Sequence, residues 1–318
     1  MVNMSDPARV ARQAMATRFE ILLHGQNQAA LRAAGEEALD EVDRLEAQLS
    51  LYRPTSEIAR VNALAARQAV RVSPPVFRLL ELAQRLHRET RGAFDIALGP
   101  LVRCWGFMGG NGSMPEPEQL AGARALAGMR HVRLDADDFS VRFDREGVMI
   151  DLGAIGKGCA IDCAARILRE SGVASALLHG GTSTAYALGA PPGAEAWQVE
   201  VASPPDMSDG HRPPLQTIAR LRDEALSVSA VWGRSFVEGG KTYGHVLDPR
   251  TGQPVSGAVL AAVALPSATE TDALSTALLV AGRRGGGRIE RLRPGMRTLL
   301  LWRDGGRGGY STRGNLGN

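Results

Sequence analysis

The chain has 318 residues, of which 44% are hydrophobic and 22% are charged, so it can bury a large core. This composition excludes disorder of the whole chain, and its 37 glycines indicate many turns or a backbone that approaches a ligand. The net charge of +3 is small, and no long block of lysine or arginine occurs. We therefore expect no nucleic-acid partner.

The N-terminus and the cysteines indicate the compartment. Residues 1–17 contain Arg9 and Arg12 but no continuous apolar stretch of the kind that a signal peptide or a membrane span requires. Cys159 and Cys163, two of the three cysteines, would lie one helical turn apart, where a disulfide has poor geometry. We therefore predict a cytoplasmic protein without a membrane span.

The first half of the chain shows both helical and strand periodicity. Alternating apolar and polar residues predict strands, and apolar residues three and four apart predict amphipathic helices. The predicted elements are a strand over 17–24, a helix over 27–49, a short helix capped by Ser56, helices over 75–91 and 118–127, and strands over 131–134 and 140–143.

A strand, a turn and a helix are predicted between residues 148 and 168. An apolar run over 148–150 predicts the strand, and Gly153, Gly156 and Gly158 free the backbone of the turn. Apolar residues at helical spacing over 161–168 predict the helix. We expect the rest of the chain to be arranged around this stretch.

Two charged residues flank this glycine-rich turn. Asp151 ends the predicted strand and Lys157 begins the helix, an arrangement that suits a bound polyphosphate. The alternative is a tight turn whose glycines serve packing, and the stretch alone does not decide between the two. It matches no common phosphate loop. A P-loop has glycine where this chain has Asp151, and Ser or Thr where it has Gly158. A dinucleotide fingerprint has glycine where this chain has Ile161.

The second half of the chain alternates short apolar runs with turn signals. Glu238-Gly-Gly240 is typical of a hairpin turn. The predicted elements are strands over 176–178 and 197–202, a loop over 203–214, a hairpin of 232–236 with 241–247, a strand over 258–265, a capped helix over 269–282 ending at a glycine, a last strand over 297–302 and a loosely ordered tail.

Asp272 and Thr276 lie four residues apart near the start of the predicted helix over 269–282, hence on one face. A carboxylate and a hydroxyl suit Mg²⁺ better than Zn²⁺, and the six histidines show no zinc spacing. In the alternative, Asp272 complements the helix N-terminus and Thr276 bonds back to a carbonyl. We expect Asp272 to lie at the surface.

Two further segments contain candidate catalytic residues. His179-Gly-Gly-Thr-Ser-Thr-Ala185 is similar to a nucleophile elbow, but no helix pattern follows Ser183, which disfavours a serine hydrolase. His245, before Asp248-Pro249, is either a general base or a polar residue of the hairpin, and the sequence leaves both open.

Six motifs in one order carry a family resemblance: Met15-Ala-Thr17, Ser50-Leu-Tyr52, Gly92-Ala-Phe-Asp95, Asp151-Leu-Gly-Ala-Ile-Gly-Lys-Gly158, Tyr243-Gly-His-Val-Leu-Asp-Pro249 and Asp272-Ala-Leu-Ser-Thr276. Together they resemble the FAD:protein FMN transferase (ApbE) family, over nearly the whole chain. On this basis we expect an N-terminal extension over 1–14, a flavin transferase domain over 15–302 and a glycine-rich tail over 303–318.

The mixed order of strands, helices and hairpins predicts an α+β fold rather than a doubly wound sheet. The resemblance implies largely antiparallel sheets with flanking helices in two lobes, with the flavin site between the lobes. It implies that Mg²⁺ is held by the carbonyl of Ala154 and by Asp272 and Thr276. It also implies that the residues contacting FAD are Met15, Tyr52, Ala93, Phe94, Asp95, Asp151, Lys157 and Val246.

The implied reaction transfers FMN from FAD to a Ser or Thr hydroxyl of an acceptor protein and releases AMP. Lys157 would neutralise charge on the diphosphate, and His245 is the candidate base for the incoming hydroxyl. Two alternatives remain open: a Mg²⁺-dependent FAD pyrophosphatase that yields FMN and AMP, and a flavin-binding protein without activity.

Overall fold

The computed structural model describes residues 6–202, 217–304 and 307–316. Its strands are, in chain order, β1 (Ala8–Ala14), β2 (Thr17–His24), β3 (Val70–Arg71), β4 (Val132–Asp135), β5 (Ser140–Phe143), β6 (Ser175–Gly180), β7 (Thr184–Leu188), β8 (Trp197–Val201), β9 (Thr217–Leu221), β10 (Glu224–Ala230), β11 (Ser235–Glu238), β12 (Lys241–Gly244), β13 (Leu247–Asp248), β14 (Gln253–Pro254), β15 (Ala258–Leu265), β16 (Arg297–Asp304) and β17 (Arg307–Arg313).

All helices except the short one over 99–104, which the sequence does not predict, begin close to where the sequence predicts. They are α1 (Gln28–Leu49), α2 (Glu57–Leu64), α3 (Pro74–Glu89), α4 (Gly99–Cys104), α5 (Pro117–Leu126), α6 (Gly156–Glu170) and α7 (Ala268–Ile289). The side chains of Asn27 and Ser56 accept hydrogen bonds from the amides of Ala30 and Ala59, and these caps begin α1 and α2.

Eight strands form one sheet in the order β1-β2-β6-β7-β10-β15-β16-β17, and every neighbouring pair is antiparallel. Helices α1, α6 and α7 pack on one face of it, and α6 lies against both of the others. On β2, Ile21 and Leu23 lie in this large core, whereas Leu22 packs into a smaller cluster on the opposite side with Trp197. The predicted α+β class with largely antiparallel sheets is confirmed; the two lobes stay a prediction.

A third cluster, around Trp105, carries the hairpin of β11 and β12. Trp105 is buried and its indole nitrogen donates to the carbonyl of Gly252 at 2.8 Å. Tyr243, on β12, stacks on Trp105 with ring centroids 5.8 Å apart. The segment from Tyr243 to Gly252, which includes His245, is therefore held at both ends by the same side chain.

The predicted strand over 148–150 is wrong, because its backbone bonds to loops and a side chain. Asn62 accepts from the amide of Ile150 at 2.8 Å and donates to its carbonyl at 2.9 Å. The carbonyl of Met149 accepts from Gly99, and the amide of Asp151 donates to the carbonyl of Ile96. No neighbouring strand among the described residues completes a ladder with this segment.

Both ends of the chain contribute to the main sheet. Residues 8–14, which belong to the predicted N-terminal extension, form β1 and pair with β2. The prediction of a loosely ordered tail is wrong, since β17 pairs with β16 along its length and satisfies backbone groups that an edge strand would expose. The predicted loop over 203–214 lies outside the described residues.

The last helix departs from its predicted end. Gly282 has a φ of 57° and interrupts the helical backbone there, but α7 resumes beyond it and runs to Ile289. A glycine tolerates this conformation without the clash that a Cβ atom would cause. The three cysteines are free thiols, and no helix within the described ranges combines the length and apolarity needed to cross a membrane.

Candidate functional site

The turn over 151–157 is closed by its own two charged residues. A side-chain oxygen of Asp151 accepts from the amide of Gly153 at 2.8 Å, and the Lys157 ammonium donates to the carbonyl of Gly153 at 3.0 Å. The Asp151 amide, bonded to Ile96, ties the turn to the loop after Gly92. Two of the predicted motifs therefore meet at this turn.

Asp272, which lies 114 positions after Gly158 in the chain, contacts the helix start next to this turn. Its Oδ2 atom accepts from the amide of Gly158 at 3.0 Å. Our expectation of an exposed Asp272 is wrong, since only 4% of the residue is exposed. A Cβ atom on Gly158 would lie 2.2 Å from the carbonyl oxygen of Ala268, so this glycine does serve close packing, as the packing alternative held. The two predicted halves of the site are thus brought together.

The oxygen atoms at this junction form a hard-ligand set. Within the described part of the chain, the carbonyl of Ala154 and the Oδ1 atom of Asp272 receive no hydrogen bond. The Thr276 hydroxyl lies 3.3 Å from the carbonyl of Asp272, as the helix-capping alternative predicts, and 3.1 Å from the hydroxyl of Ser229. A hydroxyl has two lone pairs, so it retains acceptor capacity.

This set fits Mg²⁺, which takes a few protein oxygens and completes its shell with water and phosphate. It does not fit Zn²⁺, which prefers His and Cys ligands. Across the described residues, no group of three or more His, Cys, Asp or Glu side chains is arranged to hold a metal ion. This junction is therefore suited to a hard cation that takes most of its ligands from water and from the phosphate oxygens of a bound molecule.

His245 is held in one tautomer. Its Nδ1 atom lies 3.1 Å from the carbonyl oxygen of Arg234, which can only accept, so Nδ1 carries the proton and Nε2 the lone pair. Burial lowers the His245 pKa, the bond to the Arg234 carbonyl opposes this, and the charges of Arg234 and Lys157 lower it further. At neutral pH the ring is an uncharged base.

Lys157 and Arg234 act on Asp151 as well. Burial raises the Asp151 pKa above its ordinary value, against the bond from Gly153 and the two positive charges. Asp151, Lys157, Arg234 and His245 therefore lie in one electrostatic neighbourhood. Sequence analysis missed Arg234, because an arginine beside a hairpin carries no distinguishing signal.

The Gly92-Ala-Phe-Asp95 motif supports the site from inside the protein. Ala93 and Phe94 are buried, so their side chains are in the core. The Asp95 carboxylate accepts from the amides of Ala97 at 2.7 Å and Met129 at 3.0 Å, and it lies 3.1 Å from His87. With these partners Asp95 shapes the loop that meets Asp151.

Three other predicted FAD contacts belong to other segments of the chain. Met15 and Ala16 form a two-residue hairpin turn with φ of 50° and 58°, a conformation that costs non-glycine residues energy. Tyr52 is 60% exposed, and Val246 is half-buried. No hydrogen bond or ion pair between described residues links these three to the 151–157 turn.

Comparisons with known proteins identify the family. The sequence pattern of the ApbE family matches residues 15–300. The chain belongs to the ApbE family. It is 29% identical over 277 residues to a FAD:protein FMN transferase of Klebsiella pneumoniae, a match that covers 84% of this chain and 77% of the relative. It is 31% identical over 290 residues to one of Treponema pallidum, covering 87% and 79%.

Solved structures of ApbE family members share the fold. The flavin transferase ApbE of Vibrio cholerae superposes with a TM-score of 0.85 at 25% identity, covering 98% of both chains. The apo form of the flavinyl transferase ApbE of Pseudomonas stutzeri gives a TM-score of 0.84 at 27% identity, covering 98% of this chain and 96% of that one. The ApbE fold therefore extends over nearly the whole chain, including both end strands.

The disfavoured serine-hydrolase reading gains no support from the geometry of this ApbE chain. Strand β7 begins at Thr184, directly after Ser183, where a nucleophile elbow would continue into a helix. Ser183 donates to the carbonyl of Gly180 at 3.4 Å. What the site offers instead is a base, two positive charges and a set of hard oxygens.

Proposed function

We propose that this protein transfers FMN from FAD to a Ser or Thr hydroxyl of an acceptor protein, with Mg²⁺, and releases AMP. The observation that carries the proposal is the bond between Gly158 and Asp272. It joins the glycine-rich turn to the start of α7 in a chain of the ApbE family. The curated relatives are named for this reaction, which supports it here.

Mg²⁺ would be held by the carbonyl of Ala154, by Asp272 and by Thr276. Support comes from the two oxygens that receive no hydrogen bond from described residues and from the remaining lone pair of the Thr276 hydroxyl. When bound, the ion neutralises charge on the FAD diphosphate. Ser229 orients the Thr276 hydroxyl.

His245 would accept the proton of the incoming hydroxyl at Nε2. The hydroxyl oxygen bonds to the phosphorus of the FMN half, the bond from that phosphorus to the oxygen of AMP breaks, and AMP leaves with that oxygen. Lys157 adds positive charge beside the reacting phosphates. The lowered His245 pKa supports this role, because the base is free of its proton at neutral pH.

FAD itself would lie against Met15, Tyr52, Asp151, Lys157 and Val246. The exposed Tyr52 ring provides a surface on which a flavin or adenine ring can stack. Ala93, Phe94 and Asp95 would act through the backbone of their loop, since their side chains are already packed or hydrogen-bonded.

The test uses a lysate of riboflavin-starved bacteria, incubated with the protein, FAD and MgCl₂ and separated under denaturing conditions. We expect a fluorescent flavin bound covalently to at least one protein, and mass spectrometry should find FMN on a Ser or Thr. Reactions with EDTA and with His245→Gln are the controls. AMP release without any flavinylated protein would identify a pyrophosphatase. If neither AMP nor a flavinylated protein forms, only the flavin-binding alternative remains.

A further inference from the structure

The starts of α6 and α7 hold each other through two carboxylates. Asp272 of α7 accepts from the amide of Gly158, in the first turn of α6. Asp162 of α6 reaches the other way and accepts from the amides of Ala268 at 2.7 Å and Thr269 at 2.9 Å. The first amides of a helix have no partner within the helix, so each helix supplies what the other lacks.

Two hydroxyl groups at the start of α7 also donate to the Asp162 carboxylate. It accepts from the hydroxyl of Thr269 at 2.6 Å and from the hydroxyl of Ser267 at 2.9 Å. Three of the four donors reach Oδ2 and one, the Ala268 amide, reaches Oδ1, so the start of α7 holds both oxygens of the carboxylate. The influence of Asp162 on the site therefore passes through α7.

No side chain separates the two helices where they meet. A Cβ atom on Gly158 would lie 2.2 Å from the carbonyl oxygen of Ala268 and 2.9 Å from the Cβ atom of Asp272. Ala268 is also the residue whose amide Asp162 binds. The position of α7 along α6, and with it the distance from Asp272 to the glycine-rich turn, is thus set by Asp162.

We propose that Asp162 is a positioning residue for the cation site, which places Asp272 against the turn that carries Ala154. This inference rests on the proposed function. If the Asp162 bonds are lost, the start of α7 can move, and the hard oxygens then no longer converge on one ion. Residues that orient metal ligands in this way typically change metal affinity about 10- to 100-fold.

The test replaces Asp162 with Asn, which keeps an oxygen for the three donors at Oδ2 and presents an NH₂ group to the Ala268 amide. Metal-free protein is titrated with Mn²⁺ followed by electron paramagnetic resonance, and Mg²⁺ is added as competitor. We expect Asp162→Asn to weaken both ions at least about tenfold. Thr269→Val, which removes one of the four donors, should weaken them less and covers the case in which Asp162→Asn does not fold.

The matched control is Asn27→Ala, which removes the cap of α1, a helix that packs on α6 from another side. It should lower the melting temperature, but its metal affinity should equal that of the wild type. An unchanged metal affinity in folded Asp162→Asn or Thr269→Val, or an equal loss in Asn27→Ala, would overturn the positioning role alone. If the wild type binds neither ion, the positioning role and the metal part of the proposed function both fail.

Discussion

The Nδ1 atom of His245 lies 3.1 Å from the carbonyl oxygen of Arg234. This contact leaves Nε2 as the only nitrogen of the ring that can accept a proton. It also couples the base to the hairpin, because the carbonyl belongs to the residue directly before β11.

The pH dependence of transfer should follow His245. Its pKa lies below the ordinary value, chiefly because of burial, so the rate should be flat through neutral pH and fall as pH drops below 6.5. His245→Gln should lower kcat by about 100- to 10,000-fold and abolish this acid limb. AMP release measured from pH 5 to 8 checks both. His24→Gln, on β2 beside Trp197, is the control and should keep the wild-type profile.

Asp272 should affect metal binding and folding separately. Asp272→Asn retains an oxygen that can accept from the Gly158 amide but loses the charge, so Mg²⁺ dependence should shift to higher concentration with little loss of stability. Asp272→Ala also leaves that buried amide without a hydrogen-bond partner, which should cost about 1–3 kcal/mol in the free energy of unfolding. Urea unfolding of both variants compares these costs. Equal stability of the two would contradict the Gly158 bond.

His87 should make stability depend on pH. Burial by itself lowers the His87 pKa, but the hydrogen bond and charge of Asp95, with the bond to the Phe94 carbonyl, raise it above its ordinary value. A raised pKa in the folded state means that the stabilisation is fully present below pH 6.5 and is lost as pH rises through the folded-state pKa. Urea unfolding at pH 6 and pH 8 should show this loss in the wild type and a smaller one in His87→Gln.

Asn62 should stabilise the segment that leads into the site. Asn62→Ala leaves the buried amide and carbonyl of Ile150 without partners, which should cost about 1–3 kcal/mol. Because Asp151 is the next residue, the KM for FAD should also rise. Gln68→Ala, an exposed change at the end of the α2 region, should stay within about 0.5 kcal/mol of the wild type. A KM for FAD equal to that of the wild type would show that Asn62 does not act on the site.

Local patterns were sufficient for most of the elements. The spacing of apolar residues predicts α1 and α3 to within two residues of their observed ends, and Glu238-Gly-Gly240 lies where β11 turns into β12. Local patterns failed at residues 148–150, where an apolar run has no partner strand among the described residues. An apolar run indicates burial, but it does not say whether a strand or a side chain will satisfy the backbone.

The sequence by itself determined the family, the α+β class and the separate halves of the site, because each depends on residues close together in the chain. Only the tertiary structure decided how these halves meet. The bonds from Gly158 to Asp272 and from the start of α7 to Asp162 join residues more than a hundred positions apart. No periodicity encodes such contacts, because they arise when two helices pack closely enough for each to satisfy the free amides of the other.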